Sequence, residues 1–181
     1  MPARDMDELK ALLLREPRWT LAVAESITCG HLQARIGAVS GASEFFIGGI
    51  TAYTLDEKVR HLGVERAAAE AVNSVSATVA EQMACGACVL FGSDFALATT
   101  GYAEPFDLAR SQPSAEGKIA EPFAWWALAR AQAGSGRDKK FLMRSGRVDG
   151  PGLTRVAMQE KVAGCALAEL VNYLRAVSIQ R

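Results

Sequence analysis

Two histidines in 181 residues leave little room for histidine chemistry. His31 and His61 are isolated, no Ser-His-Asp order is visible, and neither is assigned a catalytic role. Cysteines are few: Cys29, Cys85, Cys88 and Cys165 are scattered in apolar helical contexts, which fits reduced thiols better than a disulfide framework. Cys85 and Cys88 have a metal or redox spacing. A zinc site needs four ligands and no second pair follows, so they read as core residues and no metal is expected. Net charge is also missing. Twenty Lys+Arg balance twenty Asp+Glu, so no basic face for nucleic acid is expected. No apolar run approaches the roughly 18 residues of a membrane span. The charged stretch Met1 to Lys10 does not read as a signal peptide. The expectation is a cytoplasmic protein without nucleic-acid or membrane partners. Repeats and low-complexity segments are absent as well.

What is present is ordinary for one globular domain, taken as 1–181: 50% hydrophobic and 22% charged residues suffice for a full core without staples. Asp5 to Arg15 reads as an amphipathic helix that Pro17 ends. Leu21 to Ala24 is a short buried strand, followed by a helix from about Cys29 to Val39 with Leu32 and Ile36 on one face. Gly41 to Glu44 is a turn, and Phe46 to Tyr53 a second strand. Helices are expected over Leu55 to Leu62, Glu65 to Ala71 and Ser76 to Phe91. Ser76 caps the last of these; Val79, Met83, Ala87 and Leu90 share its face. Asp94 to Thr99 is a strand, and Pro105 to Pro122 a long surface loop. Phe123 to Arg130 and Lys139 to Ser145 form an antiparallel pair joined at Gly134-Ser135-Gly136; Trp125 and Trp126 there are core and interface residues. A helix from about Leu153 to Val177 closes the chain. Alternating strands and helices predict an α/β fold, and the late hairpin a mixed sheet.

The span from Ala22 to Lys58 concentrates the chemistry. A strand ends in Glu25, Ser26 and Thr28 at the start of a helix. Ser26 or Thr28 can cap that helix, and hydroxyls and backbone N–H groups there suit an anion or a developing oxyanion. Tyr53 and Lys58 follow. Hydroxyl, phenol and amine are the parts of a serine nucleophile activated by a lysine base, with no histidine required. Such a lysine must have its pKa drawn down by burial or a nearby positive charge.

The motifs A-E-S-x-T-x-G, G-x-S and Y-x-x-x-x-K, then N-S-V-S at Asn73 to Ser76 and T-T-G-Y-A-E-P at Thr99 to Pro105, resemble the C-terminal domain of the competence/damage-inducible CinA family. The resemblance covers nearly the whole chain. It implies a three-layer α/β/α sandwich and the family's nicotinamide mononucleotide deamidase activity. It also implies Ser26, Ser43, Tyr53 and Lys58 as the catalytic set, without deciding which serine attacks. For a small-molecule nucleotide substrate it points to Thr28, Thr100, the backbone near Gly101, and Arg155 as phosphate partners. Glu25 either balances the ring's positive charge or bonds N–H groups at the helix start. No cofactor is implied, and a homo-oligomer is expected on base rates.

The chain departs from the family pattern at several points. Cys29 replaces a glycine, Leu55 an asparagine, Glu104 the glycine before Pro105, and Gln159 a second arginine. The loop after Pro105 is longer. Glu104 sets a carboxylate where phosphate should approach, which is unfavourable. An intact hydroxyl–phenol–lysine set beside altered binding loops fits a shifted substrate. The alternative is a catalytically inactive paralogue that binds a nucleotide or a protein.

Overall fold

Leu21, Val23, Phe95, Leu97, Trp126 and Leu128 alternate along three strands with Ala22, Ala24, Ala96, Ala98, Ala127 and Ala129. This period of two gives the sheet one face of large side chains and one of alanines. The computed structural model describes residues 3–110, 117–132 and 140–179. The strands are β1 (Leu21–Glu25), β2 (Phe46–Thr51), β3 (Phe95–Tyr102), β6 (Phe123–Ala131) and β7 (Phe141–Asp149), in the order β2-β1-β3-β6-β7. β2, β1 and β3 are parallel; β6 pairs antiparallel with β3, and β7 antiparallel with β6. The sheet is therefore mixed, as the alternation and the late hairpin required.

Helices cover both faces. Leu9 and Leu13 of α1 (Ala3–Leu14), Leu32 and Ile36 of α2 (His31–Gly37), and Leu167, Leu170 and Leu174 of α6 (Arg155–Ile179) pack on the large-residue face. Burying each such leucine contributes about 2 kcal/mol. The alanine face receives α5 (Ala77–Phe91), with α3 (Leu55–Leu62) and α4 (Arg66–Ala71) beside it. Small side chains let α5 lie close. At Gly86 the approach is closer still, because a Cβ there would strike the Leu62 backbone of α3. Cys88 is buried in this second core and Cys85 packs partly against it. Of the large-residue stripe on α5, Val79, Met83 and Ala87 are buried, while Leu90 in the last turn is exposed.

Several boundaries differ from the sequence reading. β3 runs on to Tyr102, so Thr100 and Gly101 are strand residues hydrogen-bonded beside β6. The 105–122 segment is not all loop: β4 (Phe106–Asp107) pairs antiparallel with β5 (Ile119–Ala120). Phe106 anchors this small ribbon by stacking on Tyr102, ring centroids 4.1 Å apart. The Gly134-Ser135-Gly136 turn lies outside the described residues. Among the described residues no helix is long and apolar enough to cross a membrane.

Candidate active site

Parallel strands β1 and β3 end side by side, and ligands of open α/β sheets bind outside such carboxyl ends. Ser26 is the first residue past β1, its N–H donating to the Thr99 carbonyl at 3.0 Å. It stands at the wall of a cavity of about 680 Å³. Glu25, the last residue of β1, shapes the turn into α2. It is fully buried, and its carboxylate accepts from the N–H groups of Gly30, Leu32 and Gln33 at 2.9–3.0 Å. Neither Ser26 nor Thr28 caps α2. Glu25 does so from the strand, so this helix start offers less to an anion than its hydroxyl-rich sequence suggests. Cys29 and Gly30 both take left-handed φ values, 45° and 101°, which delays the helix to His31. Gln159 of α6 holds the same loop, donating to the Ile27 carbonyl at 3.0 Å.

Lys58 enters from the other side. β2 ends at Thr51, Ala52 N–H donates to the Glu25 carbonyl at 2.9 Å, and Thr54 caps α3 through the Glu57 N–H. Lys58 thus lies in the first turn of α3 with its stem turned inward. It is 2% exposed. Its Nζ donates to Ser26 Oγ and to the Tyr53 carbonyl, both at 3.0 Å. No carboxylate bonds it among the described residues. Burial with no opposing charge draws the amine from 10.5 down to about 8. At pH 7 about a tenth of such amines are neutral, against less than a thousandth at an ordinary lysine value.

Tyr53 meets Lys58 through its carbonyl; its side chain is exposed. The phenol lines the cavity together with Arg155 at the start of α6. Arg155 Nη2 donates to Glu104 Oε2 at 2.7 Å, and this carboxylate holds the guanidinium proton more tightly than usual. The Arg155 guanidinium in turn keeps the Glu104 carboxyl below its ordinary value. Thr100 lines the cavity, but its hydroxyl donates to the Ser74 carbonyl at 2.7 Å. Gly101 lines it too.

Two residues are not brought together with these. Thr28 is fully buried behind the cavity wall, sharing a 2.7 Å hydrogen bond with the Thr99 hydroxyl. Ser43 is exposed in a short 3₁₀ turn ahead of β2. In the parallel register Leu21 pairs Phe46 and Glu25 pairs Thr51, so Ser43 sits at the amino end of the sheet. Five residues of strand, roughly 16 Å, separate it from Ser26 within one chain. Glu25, with its carboxylate committed to α2, cannot face a ligand either.

The cavity also contains residues that sequence reasoning did not single out for it. Tyr102 and Phe106 supply stacked rings, and Asn73 donates to the Tyr102 hydroxyl at 3.2 Å. Asn73 and Ser74 both have left-handed φ, 49° and 59°. Asn-Ser was the only local hint, since asparagine tolerates that region. Among the described residues no group of three His, Cys, Asp or Glu side chains is placed to share a metal ion.

A family model described as the CinA C-terminal domain matches residues 3–120 of the chain. The chain belongs to the CinA family. A CinA-like protein of Geobacter sp. (strain M21) is 41% identical over 143 residues, 79% of this chain and 32% of that protein. One from Chlorobium limicola is 34% identical over 172 residues, 95% of this chain and 37% of that protein. The chain thus spans about a third of the length of these curated CinA relatives. Among solved structures, a competence damage-inducible protein A from Klebsiella pneumoniae has a TM-score of 0.76 at 28% identity, covering 95% of this chain and 96% of that one. A CinA superfamily protein from Klebsiella pneumoniae 700603 has a TM-score of 0.78 at 24% identity, covering 96% and 97%, a likeness of fold. The CinA α/β fold matches the architecture expected from the sequence.

Proposed function

We propose that this CinA-family chain is an amidohydrolase that cleaves the carboxamide of a pyridine nucleotide or nucleoside, releasing the carboxylate and ammonia. The observation that carries the reading is the 3.0 Å approach of a buried, carboxylate-free Lys58 amine to the Ser26 hydroxyl. A serine is a poor nucleophile until a neighbour takes its proton, and a lysine can take it only when neutral for part of the time. Desolvation supplies that condition here.

Ser26 Oγ attacks the amide carbon as Lys58 Nζ accepts the hydroxyl proton. The tetrahedral intermediate collapses as the Lys58 ammonium returns that proton to the departing nitrogen, and ammonia leaves. Lys58 then takes a proton from water, whose oxygen attacks the acyl-Ser26 ester. As that intermediate collapses the Lys58 ammonium returns the proton to the departing Ser26 Oγ. The acid released gives its own proton to ammonia or solvent, leaving carboxylate, free serine and a neutral amine. Water is the only co-reactant. The Tyr53 carbonyl accepts a second amine hydrogen and keeps the lone pair aimed at Ser26.

The test is ammonia release by the purified chain from nicotinamide riboside and nicotinamide mononucleotide, with Lys58→Arg as control. Arginine keeps the charge and cannot lose a proton. Turnover with the native lysine and none with arginine supports the reading; turnover that survives the substitution sinks it. A second reading, a binding domain without turnover, draws on the Glu104–Arg155 pair at the cavity mouth. Ligand binding without ammonia release would favour it.

A further inference from the structure

The groups that would hold a phosphate in this cavity are already engaged. Arg155 is the one guanidinium among the described lining residues, and it is paired with Glu104 at 2.7 Å. The Thr100 hydroxyl donates to the Ser74 carbonyl. Three N–H groups at the start of α2 are taken by Glu25. The lining carries two cationic side chains, Lys58 and Arg155, and two carboxylates, Glu70 and Glu104. Lys58 is spent on Ser26, deep in the site. Glu70 is itself paired with Arg66 at 3.5 Å, so the mouth is close to neutral where a dianion would have to enter, and the Glu104 carboxylate in contact with the arginine repels it.

The apolar part of the same cavity has the opposite preference. Tyr102 and Phe106 stack with planes 10° apart, and Phe123 meets Tyr102 edge-on at 5.4 Å. Ring faces of tyrosine and phenylalanine attract a flat ring, and a cationic ring more strongly than a neutral one.

We propose that the site takes a flat aromatic carboxamide that is neutral or cationic and carries no phosphate, and that Glu104 sets this choice by occupying Arg155. This rests on the amidohydrolase reading for the carboxamide; the charge preference stands on the pair itself. In the nucleoside class the fitting form is a pyridinium riboside rather than its 5′-phosphate.

The experiment compares nicotinamide riboside with nicotinamide mononucleotide, which differ by one phosphate. Dissociation constants come from calorimetry and kcat/KM from ammonia release, for the native chain, Glu104→Gln, and Glu104→Gln with Arg155→Ala. The native chain should favour the riboside by about tenfold, and Glu104→Gln should move the ratio toward the phosphate by about tenfold, as a freed guanidinium and a lost carboxylate require. Adding Arg155→Ala should cancel that move. Native preference for the phosphate, a ratio unchanged by Glu104→Gln, or binding of neither compound overturns the proposal. Its failure is separable from that of the amidohydrolase reading. The expected binding ratios without ammonia sink the chemistry alone. Ammonia release with a ratio indifferent to Glu104 sinks the charge selection alone.

Discussion

Replacing Lys58 by methionine should make the protein more stable at neutral pH while removing its activity. The site sets the magnitude. Burial lowers the amine from 10.5 to about 8, and that gap corresponds to about 3 kcal/mol. Between those two values the unfolded chain binds more protons than the folded one, so native stability rises with pH across the window. Below about 8 both forms are protonated and the full cost of the buried charge is present. Methionine keeps the stem's packing and removes the charge. It also removes the hydrogen bonds to Ser26 and the Tyr53 carbonyl, each worth about 1 kcal/mol. The net gain at neutral pH is therefore about 1 kcal/mol, or roughly 2–4 °C in Tm for a chain of this size. It should shrink as pH rises from 8, reverse near about 9 where the falling charge cost equals the lost hydrogen bonds, and leave the methionine variant the less stable by about 2 kcal/mol above 10.5. Urea denaturation of both proteins at several pH values in that window measures the difference. A methionine variant less stable at neutral pH, by an amount independent of pH, would refute the claim that Lys58 is a desolvated base.

Activity should rise about tenfold per pH unit below pH 8 and level off above it, since Lys58 works as the neutral amine; a kcat/KM profile checks this. Ser26→Ala should lower turnover by about a thousandfold or more, whereas Ser43→Ala, exposed at the far end of the sheet, should leave it within about twofold; equal losses in the two variants would show that Ser43 reaches a site after all. Glu25→Ala should cost roughly 2–4 kcal/mol in denaturant unfolding, because it strands three N–H groups at the start of α2. Cys29→Gly should raise stability by about 0.5 kcal/mol by relieving a left-handed φ of 45° at an exposed side chain. Gly86→Ala should destabilise by about 2 kcal/mol or more despite alanine's better helix propensity, since its Cβ would press on the Leu62 backbone.

By itself the sequence determined the elements and the face each one buries. The short apolar runs of β1 and β3, the Ser76 cap and the Leu32–Ile36 face of α2 all act within a few residues, and local rules read them. It also supplied Ser26 and Lys58 as a candidate pair, because a hydroxyl after one strand and an amine one turn into the helix after its neighbour converge in a parallel α/β layer. Whether an outlying motif residue joins them is a matter of register. The parallel pairing of β1 with β2 carries Ser43 to the opposite end from Ser26, a relation between strands that neither strand encodes alone. Glu25 and Thr28 sit in the same motif as Ser26, yet they turn to α2 and Thr99, since buried polar groups must find partners before a ligand does. The pairing of Glu104 with Arg155 spans 51 positions, and the Tyr102–Phe106 stack depends on a ribbon that closes only when β4 meets β5. The charge and shape of the cavity come from such long-range contacts, so tertiary structure alone decided what it can admit.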